Sequence, residues 1–133
     1  MTSDTLTETG GGCSRTPPSP PAPPARRELP RRRASTNVAF KHVTDGGQEF
    51  GYRATLGYFG DGTLGEIFLN ADKHQSMLDA GACDAAIAVS LAIQHGTPID
   101  KLAAAMSRYP NGAPASPIGA VLDLVIKEGL GSI

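Results

Sequence analysis

Gly65-Glu66-Ile67-Phe68-Leu69-Asn70 runs through Asp72-Lys73-His74-Gln75-Ser76 into Met77 and on to Ser90-Leu91-Ala92-Ile93-Gln94-His95-Gly96. A short β-branched and aromatic run, a polar turn and a long Ala-rich stretch follow one another, which reads as strand, turn and helix. Ser76 is the expected N-cap, and Asp79 three residues on supplies the carboxylate of a capping-box-like start. The helix is expected from Met77 to about His95. It is apolar on most sides (Leu78, Ala82, Ala86, Ile87, Val89, Leu91, Ile93), so the expectation is a central helix rather than a surface one. Gly96 stops it.

Upstream, Asn37 to Val43 alternates, with Val38, Phe40 and His42 on one face and Ala39, Lys41 and Val43 on the other. Asp45-Gly46-Gly47 signals a turn, and Glu49 to Phe59 supplies aromatic and Thr-rich strand material. Asp61-Gly62 reads as a two-residue hairpin before a third strand from Thr63 to Leu69. Loops this short join neighbours, so the sheet is expected as an antiparallel meander in the order 1-2-3. Downstream, Thr97-Pro98 opens a second helix with proline at its first position. Ser116-Pro117 opens a third, with Ile118, Val121, Leu122, Val125 and Ile126 at helical spacing. The class is α+β: three antiparallel strands with about three helices on one face.

The chain has 133 residues, enough for one domain. Residues 1 to 36 hold 7 of the 11 prolines and six arginines (Arg15, Arg26, Arg27, Arg31, Arg32, Arg33), with Leu6 and Leu29 as their large aliphatic residues. Such a segment buries too little to offset its ordering entropy, so a disordered Pro/Arg-rich tail over 1–36 and a domain over 37–133 are expected. The tail carries a formal charge of +3 and the remainder −4. A domain without a basic face is a poor nucleic-acid binder. Cys13 and Cys83 have no metal-ligand spacing and suit a reducing compartment. Met1 to Gly12 lacks the apolar core of a secretory signal, and the apolar run Ala85 to Ile93 is too short to span a bilayer. The expectation is therefore a cytoplasmic protein without membrane contact.

Several pieces, in order, resemble the small domain near the C-terminus of adenosylcobalamin-dependent (class II) ribonucleotide reductases, which also occurs as a free-standing TSCPD-domain protein. They are Leu29-Pro30-Arg31-Arg32-Arg33, Gly57-Tyr58-Phe59-Gly60-Asp61-Gly62, Gly65-Glu66-Ile67-Phe68, Lys73, Ser76, Ser90 to Pro98, and Leu122-Asp123. One departure is Gln75, where that domain usually has glycine in Lys-x-Gly-Ser. The resemblance covers about Leu29 to Lys127. It implies an accessory or regulatory binding module in deoxyribonucleotide synthesis for DNA replication, related to ribonucleoside-diphosphate reductase. Its implied partner is a reductase chain or a nucleotide. Adenosylcobalamin is implied only for the full-length reductases. With Cys13 and Cys83 alone, the dithiol chemistry of ribonucleotide reduction is not expected of this chain by itself. The alternative is a small-ligand or protein-binding module unrelated to ribonucleotide reduction.

Candidate residues gather in the Glu66 to Ser76 segment. Glu66, Asn70, Lys73 and Ser76 form the expected ligand site, because a helix start and a lysine favour an anion such as phosphate. For Glu66 the plain reading is a solvent-face strand residue or a partner of Lys73. Asp72, His74 and Asp79 lack a fourth ligand of defined spacing, so no metal is expected. Ser76 and Ser90 lack a nucleophile elbow. Asp84 and Gln94 either face solvent, satisfy backbone groups of the neighbouring sheet, or touch a ligand. Arg31, Arg32 and Arg33 can make weak, salt-sensitive phosphate contacts or dock on the acidic domain.

Overall fold

The computed structural model describes residues 17–21, 25–72 and 77–133. Three strands, β1 (Ser35–Val43), β2 (Glu49–Tyr58) and β3 (Leu64–Ala71), form one antiparallel sheet in the order β1-β2-β3. The helices are α1 (Met77–Gln94), α2 (Ile99–Ala105) and α3 (Pro117–Lys127). The expected α+β meander is the observed one. β1 starts two residues before the strand expected at Asn37. The expected tail over 1–16 and 22–24, and the cap at Ser76, lie outside the described residues.

Alternation sorts the sheet into two faces. Phe40, Tyr52, Ala54, Leu56, Tyr58, Ile67, Leu69 and Ala71 turn inward. They meet Ala82, Ala86, Val89 and Ile93 of α1, Ala103 of α2, and Ile118, Val121, Leu122 and Val125 of α3. Tyr58 is fully buried and satisfies its hydroxyl by donating to the Leu130 carbonyl (2.9 Å), tying the sheet to the C-terminal segment.

The hairpin between β2 and β3 is one residue longer than Asp61-Gly62 suggested. Phe59 N–H donates to Thr63 O (2.7 Å) across Gly60, Asp61 and Gly62, and Gly62 takes φ 87°. A three-residue loop ending in a left-handed glycine wins because Asp61 Oδ1 accepts from both the Thr63 N–H (3.0 Å) and its hydroxyl (2.6 Å). Those two bonds, the hydroxyl first, together with Arg27, hold the Asp61 carboxyl well below the usual range. Pro98 stands just outside α2 as its cap residue, not within its first turn, because its ψ of 145° is extended. At α3 the expected cap is found: Ser116 Oγ accepts from Gly119 N–H (3.2 Å), and Pro117 is the first helical residue.

α1 is not the central helix its composition suggested. Leu78, Ile87 and Leu91 are exposed, and the helix buries one face, made of Ala82, Ala86, Val89, Ser90, Ile93 and Gln94. Among the described residues α1 is the one helix long and apolar enough to span a membrane by length and composition alone, a measure that core helices also meet, and a third of it is buried in the domain. Its polar groups bond to β3, which reads as a core helix laid along a sheet edge.

Candidate functional site

β3 ends the sheet, so one of its sides has no strand partner. α1 covers that side with side chains. Asp79 Oδ1 accepts from Ala71 N–H (2.9 Å), and Cys83 Sγ donates to Leu69 O (3.2 Å). Ser90 Oγ both accepts from Ile67 N–H (2.8 Å) and donates to Ile67 O (3.0 Å). Gln94 Nε2 donates to Gly65 O (3.0 Å). Positions 79, 83, 90 and 94 fall on one helical face, with the small Ala86 between them. At ~1.5 Å per helical residue the stripe is about 22 Å long, and Gly65 to Ala71 at ~3.3 Å per strand residue is about 20 Å, so the two run in step. Partial burial, and Asp79 next, raise the Cys83 thiol, which stays protonated and able to donate. Gln94 and Ser90 thus satisfy the sheet, one of the two plain readings the sequence offered for Gln94. Asp84 is exposed.

Four of the pieces that carry the family resemblance, those around Leu29–Arg33, Gly57–Gly62, Gly65–Glu66 and Gln94, converge at the Gly65 end of this edge. Tyr58 pairs with Leu64 and Gly57 with Glu66, leaving Gly65 as an extra, bulged residue. A Cβ on Gly65 would stand 2.6 Å from Leu29 Cδ2 and 3.0 Å from the Phe59 ring, so glycine lets Leu29 and Phe59 close over the backbone. Glu66, by parity on the outer face, is nonetheless buried. Its carboxylate lies across Gly57, where a Cβ would come within 2.3 Å of Oε2. There it meets Arg33, whose Nε lies 2.5 Å from Oε2 and whose Nη2 donates to Oε1 at 3.4 Å. The described partner of Glu66 is therefore Arg33, while Lys73 lies outside the described residues.

Two more arginines bind the same corner. Arg26 Nε donates to Gln94 Oε1 (2.6 Å) and Arg27 N–H to Gln94 O (2.7 Å). The Arg27 guanidinium pairs with Asp61 (2.7 Å) and stacks 3.9 Å above the Phe59 ring. Residues 25 to 34, counted with the tail by composition, thus lie along the domain as an irregular strap. Clefts open on both sides of it, one of 460 Å³ bordered by Arg27, Phe59, Gln94 and Thr97, and one of 360 Å³ bordered by Arg26, Glu28, Arg33 and Glu66.

Of the expected ligand residues, Glu66 and Asn70 share the outer face of β3 but stand four residues, about 13 Å, apart. Asn70 Nδ2 donates to Cys83 Sγ (3.3 Å) and borders a separate cleft with Arg53 and Asp72. Lys73 and Ser76 lie outside the described residues. Among the described residues no three His, Cys, Asp or Glu side chains could hold a metal ion together. Docking of the basic run on the acidic domain was one of the readings the sequence offered, and Arg26 and Arg33 do dock there. The sequence reading did not include their acceptors, Gly57 as the space for Glu66, or Cys83 as an edge donor. The 79-83-90-94 spacing was the signal for the last of these.

No family model and no solved structure matches the chain. Curated proteins do. Over 78 residues, 58% of this chain, it is 44% identical to a vitamin B12-dependent ribonucleotide reductase of Streptantibioticus cattleyicolor, covering 12% of that protein. The corresponding protein of Streptomyces clavuligerus is 44% identical over the same share of this chain and 8% of its own length. That of Agrobacterium fabrum is 37% identical over 76 residues, 57% of this chain and 6% of its own length. The chain therefore matches only a small region of much longer reductases, as the sequence pieces implied. It is a small α+β domain similar to that region.

Proposed function

We propose that the chain is a reductase-related binding module that docks on a ribonucleotide reductase chain and serves deoxyribonucleotide synthesis, the supply side of DNA replication. The observation that carries this reading is the likeness of 58% of the chain to a small region of vitamin B12-dependent ribonucleotide reductases. A domain of this size working with a long reductase needs an apolar surface for it. Phe68 (50% exposed), Ile87 (55%) and Leu91 (40%) supply one on the outer flank of β3 and α1. Phe68 and Ile87 border a groove of 230 Å³ floored by Ile67, Leu69, Cys83 and Ala86. Such a patch is a recognition surface on a small domain. The role is binding and not turnover: the sequence holds two cysteines, Cys13 and Cys83, and Cys83 is occupied in holding β3.

The test is equilibrium binding to a purified vitamin B12-dependent ribonucleotide reductase, read by calorimetry. The expected result is a complex with a dissociation constant on the order of micromolar. Phe68→Ser combined with Ile87→Ser should weaken it at least about tenfold, with little loss of stability because both side chains are half exposed. No complex, or wild-type affinity in the double variant, would refute the proposal.

A further inference from the structure

β1 is the other end of the sheet, and nothing described covers its outer side. The side-chain bonds on β3 reveal which backbone groups face which way. Gly65, Ile67, Leu69 and Ala71 turn toward α1, so Glu66, Phe68 and Asn70 turn toward β2. In an antiparallel ladder residues alternate in this respect. Carried across the register, Gly57, Thr55 and Arg53 face β3, while Leu56, Ala54 and Tyr52 face Thr36, Val38 and Phe40. The N–H and C=O groups of Ser35, Asn37, Ala39, Lys41 and Val43 therefore point away from the sheet. Among the described residues none of these ten groups has a backbone or side-chain partner.

The five positions are symmetric about Ala39. We propose that this edge pairs antiparallel with the same edge of a second copy of the chain, across a two-fold axis at Ala39, giving one continuous six-stranded sheet. In that register Ala39 opposes Ala39, Asn37 opposes Lys41 and Ser35 opposes Val43, each as a hydrogen-bonded pair exchanging two bonds. All nine residues of β1 are used, with no proline and no bulge to interrupt them. The one charge, Lys41, meets the neutral Asn37 and keeps its own partner Glu49 (3.6 Å). On the inner face Val38 opposes Phe40, two half-buried side chains at the thin margin of the core. Length, charge and apolar pairing all fit a second copy of this strand.

Light scattering of the full purified chain tests this without any reductase, so its failure is separate from failure of the docking proposal. The expected mass is twice 13.8 kDa at concentrations on the order of 0.1 mM. Ala39→Glu places two carboxylates face to face at the axis while each faces Arg53 within its own sheet, the register neighbour of residue 39. It should weaken the dimer at least about tenfold with the melting temperature of the monomer unchanged. An equimolar mixture with Ala39→Lys should restore the dimer mass. A monomeric wild type, a dimer indifferent to Ala39→Glu, or a mixture that stays monomeric would overturn the proposal.

Discussion

The two ends of this small sheet face the same physical problem and meet it in opposite ways. An edge strand presents a row of unpaired backbone groups that invite other chains. On β3 the row is closed by four side chains of α1, one of which, Ser90, satisfies both groups of Ile67. On β1 the row of five residues stays open. Four of the family-resembling pieces meet at the sealed edge, which gives Ser90, Gln94, Gly65 and Glu66 an architectural reason for their types. Glu66 and the Ser90 to Gln94 stretch, read from sequence among the candidate residues, fasten this edge and the strap laid over its end.

The comparison predicts unequal costs. Ser90→Ala should have the largest effect, about 3 kcal/mol by denaturant unfolding, because it strands two buried backbone groups at once. Arg33→Ala should cost about 2 kcal/mol by leaving the Glu66 carboxylate buried without its partner, the pair being discounted because Arg33 is partly exposed. Adding Glu66→Gln to it should recover part of that loss, and full additivity would show that the two side chains act independently. On the open edge, Val43→Ala should change stability by less than about 0.5 kcal/mol, since its side chain is already half in solvent. Equal losses at Ser90 and Val43 would break the contrast between the edges.

A smaller effect comes from the clasp between Arg108 and Asp123 (2.7 Å), away from both edges. Hydrogen bonding from Arg108 lowers the Asp123 pKa. A carboxylate lowered on folding adds stability above its unfolded value near pH 4, and that stability disappears as pH falls through the folded value. The melting temperature of Asp123→Asn should therefore fall less steeply below about pH 4 than that of the wild type.

The strands, their order and the three helices were legible because period-2 and period-3.6 patterns and the turn glycines are local signals. Ser116-Pro117 announced α3 for the same reason. The position of α1 was not legible: Ala-rich helices read as buried all round, and only the fold reveals that Ile87 and Leu91 face outward. Docking of the arginines was one reading of their charge, but the packed strap was not legible, because proline and arginine signal an unpacked segment and Arg26 and Arg33 find acceptors, Gln94 and Glu66, that are far away in sequence. Glu66 was read as a ligand residue or as a solvent-face or Lys73-paired one; its described partner, Arg33, lies 33 residues upstream. The spacing of Asp79, Cys83, Ser90 and Gln94 was readable as one helical face, but its meaning needed the neighbouring strand.

Amide hydrogen exchange at Ile67, followed by NMR in the wild type and in Ser90→Ala, tests the sealing of β3 most directly. The account predicts that the wild-type amide exchanges only through global or near-global opening, like the core of β2. In Ser90→Ala, with the fold retained, it should exchange at least about tenfold faster than the change in global stability alone allows. An Ile67 amide that exchanges rapidly in the wild type, or that keeps its protection in Ser90→Ala beyond the global change, would contradict the account.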